Sequence, residues 1–468
     1  MAAHAIGTLW RGTDGAEVCV PWNTSARSID TSLDLADQFI ALNRPVLDQW
    51  GVAARVHHRR RVARANAQVE LAFRLGSTIG AMPLRSPSNG KVEHGLLVEP
   101  RFGWAGVGAM LVGTGARVLP EIPRLPTLPR GESGVPPWVL SSVVLARLES
   151  LLGELSRRFV ETREVLDRPR GRVQWAEYLG RHLGQGHPER VPCVHGSLRE
   201  DERWLAAVHA SLRIHQQSLA SVQRDALIVR RLLARCEALR RRVEHVAPRW
   251  DLLNAPLLMQ TLNGDILLEG LQALQWSRDH QGLAGIQPLG GLPWQLPMER
   301  VFEAWIETLA EDIARRRGGV VRIGSRRETL RALRWSPPYQ GSQRYLLPDV
   351  EITSADETVI LDAKYKSHWE EIDAERWFGA RDDVREAHRG DLLQVLAYAA
   401  ASSTPRVSCV LVYPCGEDTW TSLRERRRTY HVAEVPAGAR SVRLILAAVP
   451  LAGDTQEIVS PLLRALAA

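Results

Sequence analysis

A chain of 468 residues with 45% hydrophobic residues is long enough for two to four globular domains with sizeable cores, and its formal net charge of +7 favours a polyanionic partner such as nucleic acid. Its five cysteines, Cys19, Cys193, Cys236, Cys409 and Cys415, form no CxxC pair, which argues against a structural zinc site and a secreted disulfide framework. The first residues lack a basic stretch followed by an apolar core, and no apolar run approaches the ~20 residues needed to span a bilayer, so a cytoplasmic chain without a membrane partner is expected.

Residues 1–118 read as an N-terminal mixed α/β domain: 32–50 has apolar positions at helical spacing, and 69–112 is Gly-rich and alternating, as in short strands. Proline then recurs at Pro120, Pro123, Pro126 and Pro129, making 119–137 a stiff linker or a strap across a surface. A helical middle domain is expected over 138–281, rich in Leu, Ala, Arg and Glu. Its later part carries Arg224, Arg230, Arg231, Arg235, Arg240, Arg241 and Arg242. Such a face is ordinarily solvated, as is Arg59-Arg60-Arg61; Arg230, Arg235 and Arg241 are its candidates for gripping DNA phosphates.

A Gly/Pro-rich linker over 282–296 precedes a C-terminal domain, 297–468. Its helix starts at Pro297, as helix geometry favours. Strands are predicted at 320–323, 345–352 and 358–365, a helix at 391–401, and strands at 407–413, 429–433 and 442–448. That order predicts a compact α/β domain with a mixed central sheet, and for the whole chain a multidomain α+β architecture. The fifteen tryptophans read mainly as core.

Only three of the 60 basic residues are lysines, and two of them, Lys364 and Lys366, share the run Val359-Ile360-Leu361-Asp362-Ala363-Lys364-Tyr365-Lys366. A lysine pair beside an aspartate, in a chain that otherwise uses arginine, suggests chemistry a planar guanidinium does not perform. On a strand Asp362 and Lys364 share a face. Asp349, thirteen residues before Asp362, converges on it if the two strands form a hairpin. Two carboxylates and a lysine suit phosphodiester hydrolysis with Mg2+ or Mn2+. An isolated D-x-K triplet is ordinarily just a salt bridge, but this one has context. Gln394 and Tyr398 lie four apart on one helix face. Glu303, in the domain's first helix, is a candidate third carboxylate, with Glu299 and Glu307 weaker ones. Lys366 either contacts DNA phosphate or ends the strand in solvent.

Pro348-Asp349, Asp362-Ala363-Lys364 and Gln394-x-x-x-Tyr398 resemble the PD-(D/E)XK nuclease superfamily in its QxxxY branch. Phe302-Glu303, Leu347-Pro348-Asp349-Val350, Ile360 to Lys366, Asp391-Leu392-Leu393-Gln394 and Val412-Tyr413-Pro414 resemble McrC, the nuclease subunit of McrBC-type restriction systems. Arg170-Gly171-Arg172, Val191-Pro192-Cys193 and Leu97-Val98-Glu99-Pro100-Arg101 are similar to that family more loosely.

The resemblance implies a restriction-endonuclease-like fold for 297–468. It also implies Asp349 and Asp362 as metal ligands, Lys364 as catalytic lysine, Glu303 as a further acidic group, and Gln394 with Tyr398 as support. A separate McrB-like AAA+ GTPase that translocates DNA is the implied partner, engaged by the N-terminal region. The chain has no GxxxxGK[ST] phosphate loop of its own. The alternatives are a standalone or other-system defence nuclease with the same core, and a mainly DNA-binding, motor-activating subunit.

Overall fold

The computed structural model describes residues 8–22, 29–59, 68–129, 134–155, 158–199, 202–221, 226–250, 264–279, 291–369, 382–437 and 440–467. The chain divides into two compact units, one of Met1–Pro136, Asp225–Ile228 and Gly282–Ala468, the other of Pro137–Arg224 and Val229–Gln281. Mixed sheets and helices make it a multidomain α+β protein. Among the described residues no helix is long and apolar enough to cross a membrane.

The first unit begins with β1 (Thr8–Thr13), β2 (Glu17–Pro21), α1 (Ile29–Gln49), β3 (Ala53–Arg59), β4 (Gln68–Arg74), β5 (Thr78–Arg85), β6 (Val92–Glu99) and α2 (Gly103–Gly113). Strands β2, β4 and β3 form one antiparallel sheet, and β1 runs parallel to β6 in a second. Trp10, Trp22, Phe39, Trp50 and Phe73 fill the core beside them. The Gly-rich 103–113 stretch, expected to be extended, is the helix α2. Its glycines are packing sites: a methyl at Gly106 would press 3.1 Å against Leu451, and one at Gly113 would enter the Trp305 ring. Glycine's low helix propensity hides this from a sequence reading.

The second unit contains α3 (Pro137–Glu154), β7 (Arg158–Leu166), β8 (Arg172–Val173), β9 (Val191–Arg199), α4 (Glu202–Ala220), α5 (Leu227–Val243) from Val229 onward, and α6 (Gly264–Arg278). The helical expectation for 138–281 therefore needs correction: β7, β9 and β8 form a three-stranded antiparallel sheet. Arg158–Leu166 carries charges at Arg158, Glu161, Arg163 and Glu164 in no regular alternation with its apolar residues, so it does not register as an apolar strand signal. Inside the unit, buried His215 is held between Ser141 Oγ (2.9 Å) and Ser277 Oγ (3.1 Å), and burial pulls its pKa down to about 4.

The expected linker 282–296 ends in a strand, β10 (Trp294–Pro297), that pairs with β5; residues 282–290 lie outside the described set. The proline-rich segment is a strap: Glu121 and Gln295 exchange backbone hydrogen bonds of 2.8 and 2.9 Å, and Leu128 N–H donates to Gly291 O. After β10 come α7 (Met298–Arg317), β11 (Val320–Ile323), β12 (Arg331–Ala332), β13 (Tyr345–Leu346), β14 (Val350–Thr353), β15 (Glu357–Ala363), α8 (Asp382–Ala400), β16 (Arg406–Cys415), α9 (Glu417–Glu425), β17 (Tyr430–Ala437), β18 (Arg440–Pro450) and α10 (Thr455–Ala467). Six of these strands form a mixed sheet in the order β11-β14-β15-β16-β18-β17. The strand expected over 345–352 splits at Leu347-Pro348-Asp349, because Pro348 has no N–H for a ladder.

Candidate active site

Strand β15 runs through the middle of the six-stranded sheet, antiparallel to β14 and parallel to β16. Val359, Ile360 and Leu361 are all buried, so both faces are covered, as a continuous apolar run requires. Pairing of Val350 with Leu361 brings the residue before β14 alongside the end of β15, and Asp349 Oδ2 accepts the Ala363 N–H at 2.7 Å. The turn that carries Asp349 is fixed from both sides. Gly324 N–H donates to Asp349 O at 2.7 Å and Thr329 Oγ1 donates to Pro348 O at 2.6 Å. A side chain at Gly324 would collide with the Pro348 carbonyl and lie 3.0 Å from that of Asp349, so only glycine permits this approach.

Asp362 is fully buried. Its Oδ2 lies 2.6 Å from Lys364 Nζ, yet neither carboxylate oxygen accepts a well-directed hydrogen bond from a described residue. A buried charge so incompletely satisfied is costly. Burial and then the negative charges of Asp362 and Glu303 hold the Asp349 carboxyl well above its usual range. Asp362 is likewise raised by burial, against the pull of Lys364. Glu303, on α7, is pushed up to about 7 by burial, then by Glu299, Glu307 and Asp362. Burial works against the Lys364 ammonium, but Asp362, Asp349 and Asp391 outweigh it and raise its pKa.

Lys364 Nζ also donates to Gln394 Oε1 at 3.0 Å, Gln394 Nε2 donates to Tyr398 Oη at 2.6 Å, and Tyr398 Oη donates to Leu347 O at 3.3 Å. A polar chain thus runs from the lysine along α8 back to the Asp349 turn. The structure brings Asp349, Asp362, Lys364, Glu303, Gln394 and Tyr398 together. Glu307 instead accepts from Ser325 Oγ (2.7 Å) and pairs with Arg117 (3.4 Å), and Glu299 is exposed.

The predicted phosphate-gripping residues have these surroundings. Lys366 lies beyond the end of β15 and holds both Asp391 oxygens at 2.8 Å. Arg235 pairs with Glu149 and Arg241 with Glu237; Arg230 is exposed. Arg60, Arg61 and Arg224 lie outside the described residues.

Sequence reasoning missed the role of Asp391, which is buried and also accepts the Tyr413 hydroxyl at 3.1 Å. An acid opening the apolar run Leu392-Leu393 was the available signal. It also missed Asp14 and Arg101. Arg101 Nε holds buried Asp14 at 2.9 Å, and its guanidinium lies 4.9 Å over the Tyr365 ring, between the two lysines in sequence.

The donors suit a hard divalent cation. Among the described residues no group of three or more His, Cys, Asp and Glu side chains is placed to hold a metal ion by itself. Mg2+ commonly takes one or two carboxylates and completes its shell with water and substrate phosphate. The Oδ1 of Asp362, which no described residue hydrogen-bonds, and the mutual repulsion of Asp349, Asp362 and Glu303 are what such a cation would relieve.

A profile of the family described as "McrBC 5-methylcytosine restriction system component" matches residues 138–414. Among solved structures, a refined half-complex from a tetradecameric assembly of Thermococcus gammatolerans McrB AAA+ hexamers with bound McrC is similar at 12% identity, covering 98% of this chain and 99% of that one, with a TM-score of 0.41. The cryo-EM structure of the Thermococcus gammatolerans McrBC complex is similar at 13% identity, covering 65% and 88%, with a TM-score of 0.26. No curated protein matches the chain.

Proposed function

This chain belongs to the McrBC 5-methylcytosine restriction system component family, and we propose that it is a nuclease subunit that hydrolyses DNA phosphodiester bonds with Mg2+ or Mn2+. The gathering of Asp349, Asp362 and Lys364 at the end of β15, with Gln394 and Tyr398 holding the lysine, carries this reading. In it, 297–468 is a restriction-endonuclease-like domain of the PD-(D/E)XK type, QxxxY branch, and 1–118 a motor-engaging domain.

Asp349 and Asp362 would hold the cation, and Glu303 would add negative charge beside them. When bound, the cation supplies an activated water and neutralises phosphate charge. Asp362, Asp349 and Asp391 keep Lys364 protonated, so its ammonium faces the scissile phosphate as a fixed positive charge where negative charge develops. Gln394 takes one of its donors and fixes its direction. Tyr398 orients Gln394 in turn.

The partner in this reading is a McrB-like AAA+ GTPase in a separate chain. The Thermococcus gammatolerans assembly pairs McrB AAA+ hexamers with McrC, and this sequence carries no phosphate loop.

The test is Mg2+- or Mn2+-dependent cleavage of DNA by wild type and Lys364→Ala, with and without the AAA+ protein that co-purifies. Lys364→Ala should lose about 10²–10³-fold in rate, the usual cost of removing a preorganised charge from a transition state. Equal cleavage by both chains overturns the assignment. Calorimetric Mn2+ binding should weaken in Asp362→Asn, independently of turnover.

A further inference from the structure

Strands β12 and β13 are the root of an exposed arm. They pair as Arg331 with Leu346 and Ala332 with Tyr345, and every residue from 332 to 345 is exposed. The arm is not apolar by neglect of order: Leu333 N–H donates to Arg344 O at 2.8 Å, and Trp335 Nε1 donates to Gln343 O at 2.9 Å. Trp335 and Tyr339 meet edge to face at 6.2 Å. With the indole N–H satisfied inside the arm, the ring itself is left to solvent, Trp335 at 45% and Tyr339 at 58% exposure. Large aromatics clustered on a surface mark a binding site more often than chance.

The charge on the arm is one-sided. Between Arg326 and Leu346 there are five arginines and one acid, Glu328, and that acid accepts the Ile323 N–H at 2.8 Å. Arg334 and Arg344 are exposed and pair with no described carboxylate. Elsewhere in the same unit Arg315, Arg316, Arg317 and Arg443 each hold one. Arg327 lies 5.7 Å from the Tyr345 ring, a cation held by an aromatic instead of an acid.

The base of the arm is tied to the candidate active site. Leu346 leads directly into Leu347-Pro348-Asp349, and Arg331 donates to Tyr398 O at 2.9 Å while pairing with Glu351.

We propose that this arm is the DNA-contact surface beside the catalytic carboxylates, with Arg334 and Arg344 on backbone phosphates and Trp335 and Tyr339 against sugars and bases. The assignment rests on the proposed hydrolysis of DNA and replaces the α5 arginines as the place where substrate is held. Unpaired guanidiniums provide the salt-dependent, sequence-independent grip. Exposed rings stack on bases opened at the cleavage position.

The test uses the full chain, with fluorescence anisotropy on a labelled duplex and the matching single strand in EDTA, across a salt series, and cleavage in Mg2+ in parallel. Arg334→Ala/Arg344→Ala should weaken duplex binding about tenfold and lower the slope of log K against log salt by about 1.8, the value for two phosphate contacts. Trp335→Ala should weaken binding of the single strand about tenfold with the slope unchanged. Arg334→Lys/Arg344→Lys should keep the wild-type slope. Thermal melts matching wild type exclude unfolding, which an arm exposed throughout predicts.

Wild-type affinity and slope in the alanine variants overturn the proposal. So does wild-type DNA binding accompanied by loss of the co-purifying AAA+ protein, which makes the arm a protein-docking surface, and so does absence of DNA binding by wild type itself. Unchanged binding with Lys364-dependent cleavage sinks the arm alone. Arm-dependent binding without any cleavage supports the arm and sinks the hydrolysis.

Discussion

Replacing Glu303 by glutamine should stabilise the metal-free protein in alkaline solution and leave it unchanged in acid. Burial, then Glu299, Glu307 and Asp362, lift the Glu303 carboxyl from its ordinary 4.5 to about 7. Between those values the folded chain keeps a proton that the unfolded chain has released, so stability falls as pH rises through the window. At about 1.4 kcal/mol per pH unit, the interval between 4.5 and about 7 corresponds to about 3 kcal/mol lost at about pH 8. Glutamine keeps the size of the side chain and removes the charge. In EDTA, Glu303→Gln should match wild type near pH 4 and exceed it by about 3 kcal/mol near pH 8, or about 4 °C in Tm for a unit of this size. Saturating Mg2+ should shrink the difference, because a cation held by Asp349 and Asp362 would offset the negative charge that acts on Glu303. A constant difference at all pH values, or a less stable Glu303→Gln at alkaline pH, refutes the reasoning.

Arg101→Ala should cost about 3–5 kcal/mol, because it strands Asp14, whose side chain has no solvent exposure. Adding Asp14→Asn should recover much of it, and equal destabilisation of single and double variants in denaturant melts refutes the pair. Burial already holds the Asp14 carboxyl above its usual value despite Arg101, so Arg101→Ala should regain stability as the solution is acidified. Gly324→Ala should cost about 1–3 kcal/mol and slow DNA cleavage together, since the new methyl displaces the Pro348-Asp349 turn. Wild-type melting and cleavage in that variant contradict the close-approach argument.

Five of the six residues brought together here stand out in the sequence by their spacing, their roles came from the resemblance, and Glu303 had no spacing signal. Asp362 and Lys364 are two apart at the end of an apolar run, Gln394 and Tyr398 are four apart on a helix, and Asp349 follows a proline that breaks its strand. The tryptophans divided differently. Trp50 and Trp294 are core, as expected, but Trp335 and Trp175 face solvent, and nothing local in the sequence separates the two groups. The Gly-rich α2 was illegible for the opposite reason: its glycines are chosen by Trp305 and Leu451, residues some 190 to 350 positions away.

By itself the sequence determined the positions of α7, β11, β14 to β16, β17 and β18, though not of β12, α9 or α10, and it marked Asp349, Asp362, Lys364, Gln394 and Tyr398 as candidates, since period and spacing are properties of contiguous residues. Only the tertiary structure decided which charges are partnered. Lys366 goes to Asp391, Arg235 to Glu149 and Arg101 to Asp14, while Arg334 and Arg344 pair with no described carboxylate. Coulomb energy depends on distance and burial, and neither is set until residues far apart in the chain are packed side by side.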